Sequence, residues 1–471
     1  MTRRTLLVAA SAFAQAVPSQ RPNIIMIFAD DLGYGDLGVT GNRDVATPNL
    51  DSLARDGMRF SQFYVAAPIC SPSRVGVTTG QFPSQHLIHS YLNDRKSNRA
   101  LGMRDWLDPK APCIARAFQQ AGYATGHFGK WHMGGGRDVG DAPLPQAYGF
   151  EESVTSFEGL GDRILGEEDT GLSKQSASLG RGKIEWAPKH KQTEMYVDRT
   201  VEFVRRHKDK PFYVHLWPCD VHDGHFPRPD LLEKYVKFSS NQYVQRFYAV
   251  LDEFDRQMGR LFRALEEVGV ADNTMIVFTG DNGPTAWPRY YREGFEPPGS
   301  TAGFRGRKWS LYEGGIRQPL LVRWKRGGVP AGQVDETSVV GAVDLFPTFC
   351  SLAGVKPPAG AKFDGQDMSA AFRGKPASKR ANPLLWEYDR GGTSYPKPGQ
   401  PEDVSPNVAI RDGRWKLLLN ADGTQPELYD FSKSQLEREN VAAAHPEVVR
   451  RLSKRALDWR KSLPKLETLR T

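Results

Sequence analysis

Short, continuous apolar runs alternate along this chain with segments of helical periodicity. The clearest runs cover residues 23–29, 211–217, 274–279 and 319–324, and a weaker one covers 123–128. Continuous apolar character over so few residues is typical of strands buried on both faces, as in parallel sheets. The pattern therefore predicts an α/β domain, in which a large, mostly parallel sheet is sandwiched by helices.

Two of the intervening segments carry clear helix signals. Thr47 and Pro48 stand where a cap and a first helical residue belong, and Gly57 is the expected end of that helix. Between residues 241 and 268 apolar side chains recur at helical spacing, and Gly269 follows as a stop signal. These two segments are therefore predicted to form a short and a long helix.

The pattern changes near residue 380. An apolar run at 415–419, a hairpin-type turn at 420–423 and a returning strand lead to a final amphipathic helix. We therefore predict an α/β catalytic domain over residues 22–380. Residues 381–471 are predicted to form a small α+β domain of antiparallel strands and a helix.

The N-terminus has the pattern of an export signal. Arg3 and Arg4 precede an apolar stretch at 6–14, and Ala14 and Ala16 form an A-x-A cleavage site. The paired arginines also hint at twin-arginine export. The stretch is shorter than the roughly 20 residues that a bilayer crossing needs, and no later run is longer. We therefore expect residues 1–16 to be a cleaved signal peptide, no membrane span, and a periplasmic or extracellular protein.

Composition and charge narrow the function classes only slightly. The 471 residues include 4 cysteines, too few for a disulfide scaffold, and their 11% aromatic content argues against a disordered chain. The formal net charge of +8 favours anionic partners. However, 63 Lys and Arg against 55 Asp and Glu is a mixed surface, so nucleic acid is permitted by charge alone and by nothing stronger.

Residues 33–38 satisfy the G-x-G-x-x-G pattern directly after the first predicted strand. A dinucleotide site also needs a helix that opens on those glycines. The following residues show no helical face, and Asp30 and Asp31 stand where they would repel a phosphate. We therefore reject a dinucleotide site.

Two pairs of polar residues follow predicted strands. Asp30 and Asp31 end the first strand, and Asp281 and Asn282 follow the strand at 274–279. Adjacent carboxylates are costly unless something neutralises them, and ligands in open α/β sheets gather at the carboxyl ends of strands. Single Asp residues also commonly cap helices or turns. The two pairs favour a site for Ca²⁺ or Mg²⁺ over such local roles.

Other reactive side chains follow strands in the same way. Lys130 and His132 come after the weak strand, and His222 comes after the run at 211–217. A zinc site built from His132, His222, His127 and His225 is an alternative, but no tight ligand motif supports it.

Cys70 lies in the most specific segment of the chain. Ser71 and Pro72 suit a helix cap and a first helical residue, which would place Cys70 at a helix N-terminus. That position favours anions and lowers the pKa of a thiol, and Arg74 lies one turn further on. Either Cys70 is a buried structural cysteine, or it is a nucleophile that faces an anionic substrate.

The segment Cys70-Ser71-Pro72-Ser73-Arg74 resembles the C-x-P-x-R signature of type I sulfatases, which have an alkaline phosphatase-like fold. In that family the cysteine is converted to Cα-formylglycine by a formylglycine-generating or maturase enzyme. The resemblance covers nearly the whole chain after the signal. Its further blocks are Asn23–Gly35, Thr47–Asp51, Gly129–His132, Gly280–Gly283, Arg305–Lys308, Tyr312–Arg317 and Trp415–Leu418.

The resemblance implies a metal site and a covalent mechanism. Asp30, Asp31, Asp281 and Asn282, with the modified Cys70, would hold a divalent cation, calcium in most relatives, with magnesium as the alternative. The hydrated formylglycine would attack sulfur, release the alcohol and then expel sulfate. Asp281 would also take the proton of the attacking hydroxyl.

The same resemblance implies the remaining catalytic roles. Arg74 and Lys130 would hold the formylglycine, and His132 would be the base that lets the hemiacetal collapse. His222 and Lys308 would contact the sulfate, and one of them would protonate the leaving oxygen.

The chain departs from the family pattern at two places. The family often has His-x-Pro around the second histidine, whereas His222 here is followed by Asp-Gly and then by His225, which could share or replace its role. Arg307 and Trp309 replace the small residues that commonly flank the lysine at 308. The rim of the pocket therefore departs from the family pattern.

Substrate identity rests on weaker signals. Trp287, Tyr290, Tyr291 and Phe295 lie in the loop after the second polar pair and could stack on a sugar ring or simply pack within the loop. With the export signal, they favour a sulfated carbohydrate over a small aryl sulfate. We therefore predict a secreted sulfatase, with Trp287 and His225 among its substrate-binding residues and no nucleic-acid partner.

Two alternatives remain at this point. Phosphoryl and sulfuryl groups share geometry, so the same scaffold could be a phosphonate monoester or phosphodiester hydrolase. If Cys70 stays a thiol, the protein could instead be a non-enzymatic binding protein.

Overall fold

The computed structural model describes residues 21–168, 171–377, 379–390 and 395–466. The predicted signal peptide at 1–16 lies outside these ranges. No helix of the described part combines the length and the apolar content that crossing a membrane would require.

The strands follow the apolar runs closely. In chain order they are β1 (Asn23–Ala29), β2 (Met58–Tyr64), β3 (Ala124–Gly129), β4 (Glu152–Thr155), β5 (Asp162–Gly166), β6 (Ile184–Ala187), β7 (Phe212–Trp217), β8 (Thr274–Gly280), β9 (Arg317–Arg323), β10 (Gln333–Asp335), β11 (Val340–Gly341), β12 (Leu384–Glu387), β13 (Val408–Asp412), β14 (Trp415–Leu419) and β15 (Glu427–Asp430). Every apolar run that the sequence singled out has become a strand.

Helices fill the connections between strands. They are α1 (Pro48–Arg55), α2 (Cys70–Thr79), α3 (Arg95–Ala100), α4 (Ile114–Gln120), α5 (Leu172–Ser178), α6 (Lys189–Arg206), α7 (Pro229–Tyr235), α8 (Gln242–Val268), α9 (Pro288–Arg292), α10 (Glu313–Ile316), α11 (Leu345–Ala353), α12 (Ser369–Phe372) and α13 (Pro446–Ser462). The long predicted helix is α8, which Asn241 caps through its side chain and Gly269 ends in a left-handed conformation.

Within the described ranges, eleven strands form one large mixed sheet in the order β10-β2-β9-β8-β1-β7-β3-β4-β5-β6, with β11 paired to β2. Its centre is parallel, since β1 pairs in parallel with both β7 and β8, and β3 with β7. β9 is different, because it runs antiparallel to both β8 and β2. The expectation of a parallel strand from the run at 319–324 was therefore wrong: burial on both faces does not determine strand direction.

The sheet separates two hydrophobic cores. Along β1, Ile24 and Met26 pack into the core that contains α2, α4 and the C-terminal sheet. Ile25 and Ile27 pack into the opposite core, against α6 and α8. Helices thus cover both faces, which confirms the predicted α/β class and explains why β1 is apolar at every position.

Helix α1 is capped by a residue far away in the sequence, Asp255, rather than by Thr47. The carboxylate of Asp255, on α8, accepts the main-chain N–H groups of Asn49 at 3.2 Å and Leu50 at 2.8 Å, and the Asn49 side-chain amide at 2.7 Å. Thr47 makes no capping hydrogen bond, although Pro48 is the first helical residue as predicted. A buried carboxylate on one helix therefore fixes the start of another.

Replacing Asp255 by alanine should lower the free energy of unfolding by about 1–3 kcal/mol, because it leaves buried N–H groups of α1 unpaired. Chemical denaturation measures this loss. Glu267→Ala, an exposed change on the same helix, is the matched control and should change stability by less than about 0.5 kcal/mol. Equal stability of the two variants would contradict the capping role.

The C-terminal region forms a second, antiparallel sheet of β12, β13, β14 and β15, with α13 packed against it. This confirms the predicted small α+β unit, although the boundary at residue 380 stays a prediction. Buried contacts join it to the main body, among them those of Trp386 and Lys416. The Trp386 indole donates to the Val65 carbonyl at 2.8 Å. Lys416, which is fully buried, lies 2.8 Å from Glu313 and 2.7 Å from Glu437.

Candidate active site

The polar residues predicted from the sequence meet at one edge of the large sheet. They follow β1, β3, β7 and β8, four strands that are parallel neighbours at its centre. Gly129 makes the turn after β3 possible, since its φ is +124° and a Cβ there would lie 2.2 Å from the Trp217 carbonyl oxygen. Cys70, at the start of α2, and Lys308, from the loop before α10, complete the site.

Asp30 is enclosed by cations. Its Oδ2 accepts from Lys130 Nζ at 2.7 Å, and its Oδ1 lies 3.4 Å from the Arg74 guanidinium. Arg74 also donates to Asp281 Oδ2 at 2.9 Å and lies over the Trp217 ring, 5.2 Å from its centroid. These groups are buried, so each charge depends on the others for its stabilisation.

Asp31 is held by a second set of contacts. Its main-chain N–H donates to Asp281 Oδ1 at 3.0 Å, and its φ of +59° is left-handed. Both of its carboxylate oxygens accept from Lys308 Nζ, at 2.5 and 2.7 Å, and Oδ1 also accepts from the Asn282 amide at 2.7 Å. The side chains at the ends of β1 and β8 thus form one network.

Four potential metal ligands converge in this network. The ligand atoms of Asp30, Asp31, Cys70 and His222 all lie within 4.8 Å of one another. In addition, Asp30 Oδ1 and Asn282 Oδ1 are buried oxygens that accept no hydrogen bond from the described residues. Buried oxygens left without a donor fit a hard divalent cation. Asp281 is not among these four, and its carboxylate accepts from Arg74 and from the Asp31 N–H. Its role as a metal ligand stays a prediction.

Cys70 is the first residue of α2, which confirms its predicted place at a helix N-terminus. Two finer expectations were wrong. Ser71 is not the cap, since Ile69 precedes the helix and the Ser71 hydroxyl accepts from the Leu92 N–H at 3.0 Å. Burial also raises the pKa of the Cys70 thiol to about 12, although Lys130 and Lys308 act in the opposite direction. The unmodified thiol is therefore a weak nucleophile.

The charges of the site are strongly coupled. Burial opposes ionisation of Asp30, but Lys130, His222 and Arg74 together hold the pKa of that carboxyl well below its usual value. Burial opposes charge on Lys130 and Lys308 too, yet Asp30 raises the pKa of Lys130, and Asp31 that of Lys308. The lysines therefore stay charged. A divalent cation added to three carboxylates and three basic side chains would leave a site that attracts an anion.

His222 faces the metal cluster, whereas His225 does not. Nε2 of His222 lies 3.6 Å from Asp31 Oδ2, and its Nδ1 is 2.5 Å from the Asp223 carbonyl oxygen. Burial lowers the pKa of His222 to about 4. His225 instead contacts the Val221 carbonyl at 2.8 Å and packs edge-on against Phe247. A direct role of His225 in substrate binding stays a prediction.

His132 follows β3, two residues after Lys130. Its φ is +49°, a conformation that costs about 1 kcal/mol for a residue with a Cβ. Its Nε2 is 3.1 Å from the Leu92 carbonyl oxygen and 3.2 Å from Glu158 Oε2. Burial and the charge of Lys130 lower the pKa of the ring well below its usual value.

The zinc alternative does not agree with the structure. The cluster contains one histidine, His222, while His127 packs among the rings of Trp131, Phe150 and Trp217. The rejection of a dinucleotide site holds, because the glycines after β1 lead into a single 3-10 turn and not into a helix.

The loop after Asp281 and Asn282 brings an exposed aromatic side chain next to Trp309. Trp287 is 40% exposed and lies 6.0 Å from the ring of Trp309, the neighbour of Lys308. Tyr290 is fully buried and bonded to Asp223, and Phe295 packs against Tyr243. Of the loop aromatics proposed for sugar stacking, Trp287 has the exposure that such a role requires.

Two residues of the site were missed from the sequence. Glu158 is a single acidic residue in a glycine-containing segment, and nothing local marks it. Asp223 gathers Thr285, Tyr290 and Arg289 around the segment of His222. Its only signal was its place between His222 and His225.

Comparison with known protein families agrees with this geometry. The sulfatase family model matches residues 22–355. The model of the C-terminal region of N-sulphoglucosamine sulphohydrolase matches residues 303–462. Together these matches cover both sheets.

Similar proteins and similar solved structures also indicate the sulfatase family. The chain is 29% identical to an N-acetylgalactosamine-6-O-sulfatase of Bacteroides thetaiotaomicron, with 92% of each protein covered. It is 31% identical to human arylsulfatase A, over 96% of this chain and 89% of that protein. Its fold superposes on Ps i-CgsB in complex with k-i-k-neocarrahexaose with a TM-score of 0.76, 28% identity and 93% of each chain covered. The chain therefore belongs to the type I, alkaline phosphatase-like sulfatase family and is a sulfuric ester hydrolase.

Proposed function

We propose that this sulfatase removes a sulfate ester group from a carbohydrate, with formylglycine at position 70 and a bound calcium ion. The observation that carries the choice of substrate is Trp287, an exposed indole beside Trp309 at the rim of the sulfate site. Aromatic faces suit the C–H surface of a sugar ring. Two similar proteins, the N-acetylgalactosamine-6-O-sulfatase and the oligosaccharide complex of Ps i-CgsB, support the same choice.

The donor set suits the proposed groups. Conversion of Cys70 to formylglycine would replace sulfur by oxygen and complete, with Asp30, Asp31 and Asn282, the oxygen ligands that calcium prefers. The cation would polarise the sulfate oxygens and offset their charge. The hydrated aldehyde would supply the attacking hydroxyl, which the weakly acidic thiol of Cys70 cannot replace.

The side chains around these groups have distinct tasks. Arg74 and Lys130 hold Asp30 from two sides, and they would also hold the formylglycine. Lys308 Nζ holds a proton across the neutral range and would donate it toward the leaving oxygen. The Asp223 carbonyl at 2.5 Å takes the hydrogen on Nδ1 of His222, so His222 would donate to the sulfate through Nε2 in its protonated form. His132 would take the proton of the remaining hydroxyl when the hemiacetal collapses. Asp281, which accepts from Arg74 and from the Asp31 N–H, would take the proton of the attacking hydroxyl.

Two measurements test this proposal. Mass spectrometry of the peptide around Cys70 should show an aldehyde in place of the thiol, and an intact thiol after native expression would refute the modification. In a panel of substrates, defined sulfated oligosaccharides should be hydrolysed with higher kcat/KM than aryl sulfates or phosphodiesters. Higher kcat/KM for a small aryl sulfate would refute the carbohydrate assignment.

Trp287→Ala should raise KM for a sulfated oligosaccharide by about 10-fold and leave kcat unchanged, since stacking on one indole contributes about 1–1.5 kcal/mol. Steady-state kinetics measures the effect. Trp186→Ala is the matched control, because that indole on β6 is exposed to a similar extent, 43%, outside the described site. An unchanged KM for Trp287→Ala, or an equal rise in both variants, would contradict the stacking role.

We also propose export and modification by a maturase. The N-terminal pattern supports a signal at 1–16, and sequencing of the mature N-terminus tests it, with an intact Met1 in the natural host as the contrary result. Cys70 is 3% exposed, so a modifying enzyme must reach it before the chain folds. Incubation of the unmodified, folded protein with a formylglycine-generating enzyme should therefore yield no aldehyde.

A further inference from the structure

We infer that Glu158 is a positioning residue that orients His132 and stabilises its protonated ring. The inference deepens the proposed function, since it rests on the role of His132 as a base. It concerns a carboxylate that the family signature did not mark and that lies outside the metal cluster.

Glu158 contacts His132 through both its main chain and its side chain. It follows β4, is 4% exposed, and its carbonyl oxygen accepts the His132 N–H at 2.8 Å. Its Oε2 lies 3.2 Å from His132 Nε2, and its Oε1 accepts from Arg137 at 3.1 Å. The main-chain bond supports the left-handed backbone of His132, and Arg137 fixes the direction of the carboxylate.

The contacts of the ring determine which nitrogen carries hydrogen. His132 Nε2 lies 3.1 Å from the Leu92 carbonyl oxygen, a group that can only accept. The hydrogen of the neutral imidazole is therefore on Nε2, and the lone pair is on Nδ1. Nδ1 is buried and has no hydrogen-bond partner among the described residues. It is thus the atom that is free to accept a proton.

Proton transfer to this atom creates a charge that needs a counterion. When Nδ1 accepts a proton from an active-site hydroxyl, the O–H bond breaks, an N–H bond forms and the ring becomes cationic. The charged groups that act on the ring from its surroundings are Lys130, Arg74 and Arg137, all cationic, and Glu158 at ion-pair distance. A carboxylate on the far nitrogen stabilises such a ring, as in other carboxylate–histidine pairs.

The matched pair Glu158→Gln and Glu152→Gln tests this role. Glu158→Gln keeps the shape and removes the charge, so kcat should fall by about 10–100-fold with KM little changed. Loss of the anion destabilises the protonated ring, so the acid limb of the pH profile should move to lower pH. Glu158→Asp should recover part of both effects. Glu152 lies on β4, is half-exposed and pairs with Arg206. Glu152→Gln should therefore leave kcat and the pH profile unchanged.

Three contrary results are distinguishable. If Glu158→Gln has the kcat and acid limb of the unaltered enzyme while His132→Ala is inactive, the positioning role is wrong and the base role stands. If His132→Ala retains full kcat, the base role itself is wrong. A loss of kcat in Glu158→Gln without any shift of the acid limb and without recovery in Glu158→Asp would reduce Glu158 to a structural residue.

Discussion

Cys70→Ala should abolish sulfate release, with kcat/KM reduced by roughly 10⁴-fold or more, as when the nucleophile of another covalent hydrolase is removed. The physical reason is that no neighbouring group can replace it. Asp30, Asp31 and Asp281 are committed to Lys130, Lys308 and Arg74. Initial rates on a sulfated oligosaccharide, compared with the blank rate, measure the loss.

The control for this variant is Cys350→Ala. Cys350 is also a free and buried cysteine, but it lies on α11 in the core. Its replacement should lower the melting temperature slightly and leave kcat intact. Retention of more than about 1% of kcat by Cys70→Ala would show that position 70 does not supply the nucleophile.

Asp281→Ala should remove both the bound cation and the activity. Asp281 holds the Asp31 N–H at 3.0 Å and Arg74 at 2.9 Å, so its loss disconnects the ends of β1 and β8. We expect kcat/KM to fall about 10³-fold, which corresponds to the several kcal/mol that a catalytic cation supplies. Elemental analysis of the purified variant and titration of activity with calcium are the two measurements.

Asp255→Ala serves as the comparison, because it also removes a buried carboxylate, one whose hydrogen bonds go to α1. It should lose stability and keep the cation at the level of the unaltered enzyme. Full activity of the unaltered enzyme in chelator-treated, metal-free buffer would contradict the metal site as a whole.

Much of the fold followed from local patterns. β1, β7 and β8 are buried on both faces, so their sequences are apolar throughout and their positions were predicted almost to the residue. The direction of β9 was not, because antiparallel pairing with β8 and β2 leaves no mark on a strand buried on both sides. The strands β4, β5 and β6 are short, and each includes residues that are not buried. Their hydrophobic patterns are therefore weak, and the sequence analysis missed them.

The residues of the candidate site also differ in how well local sequence patterns predicted them. Asp30, Asp31, Asp281 and Asn282 were found because polar pairs directly after apolar strands are unusual. Lys308 came only from the family resemblance, since it lies in a loop without periodicity. The expected acidity of the Cys70 thiol was wrong, because the field of a helix N-terminus cannot offset complete burial.

The buried Lys416 has a consequence for how this protein loses its structure. Its ammonium group lies between Glu313, on the helix that follows the Lys308 loop, and Glu437, beyond the C-terminal sheet. Parting the two sheets would break the ion pair between Glu313 and Lys416 and would open the hydrophobic core that both sheets share. Heating should therefore melt both sheets in a single cooperative transition, and the catalytic centre should be lost in that same event.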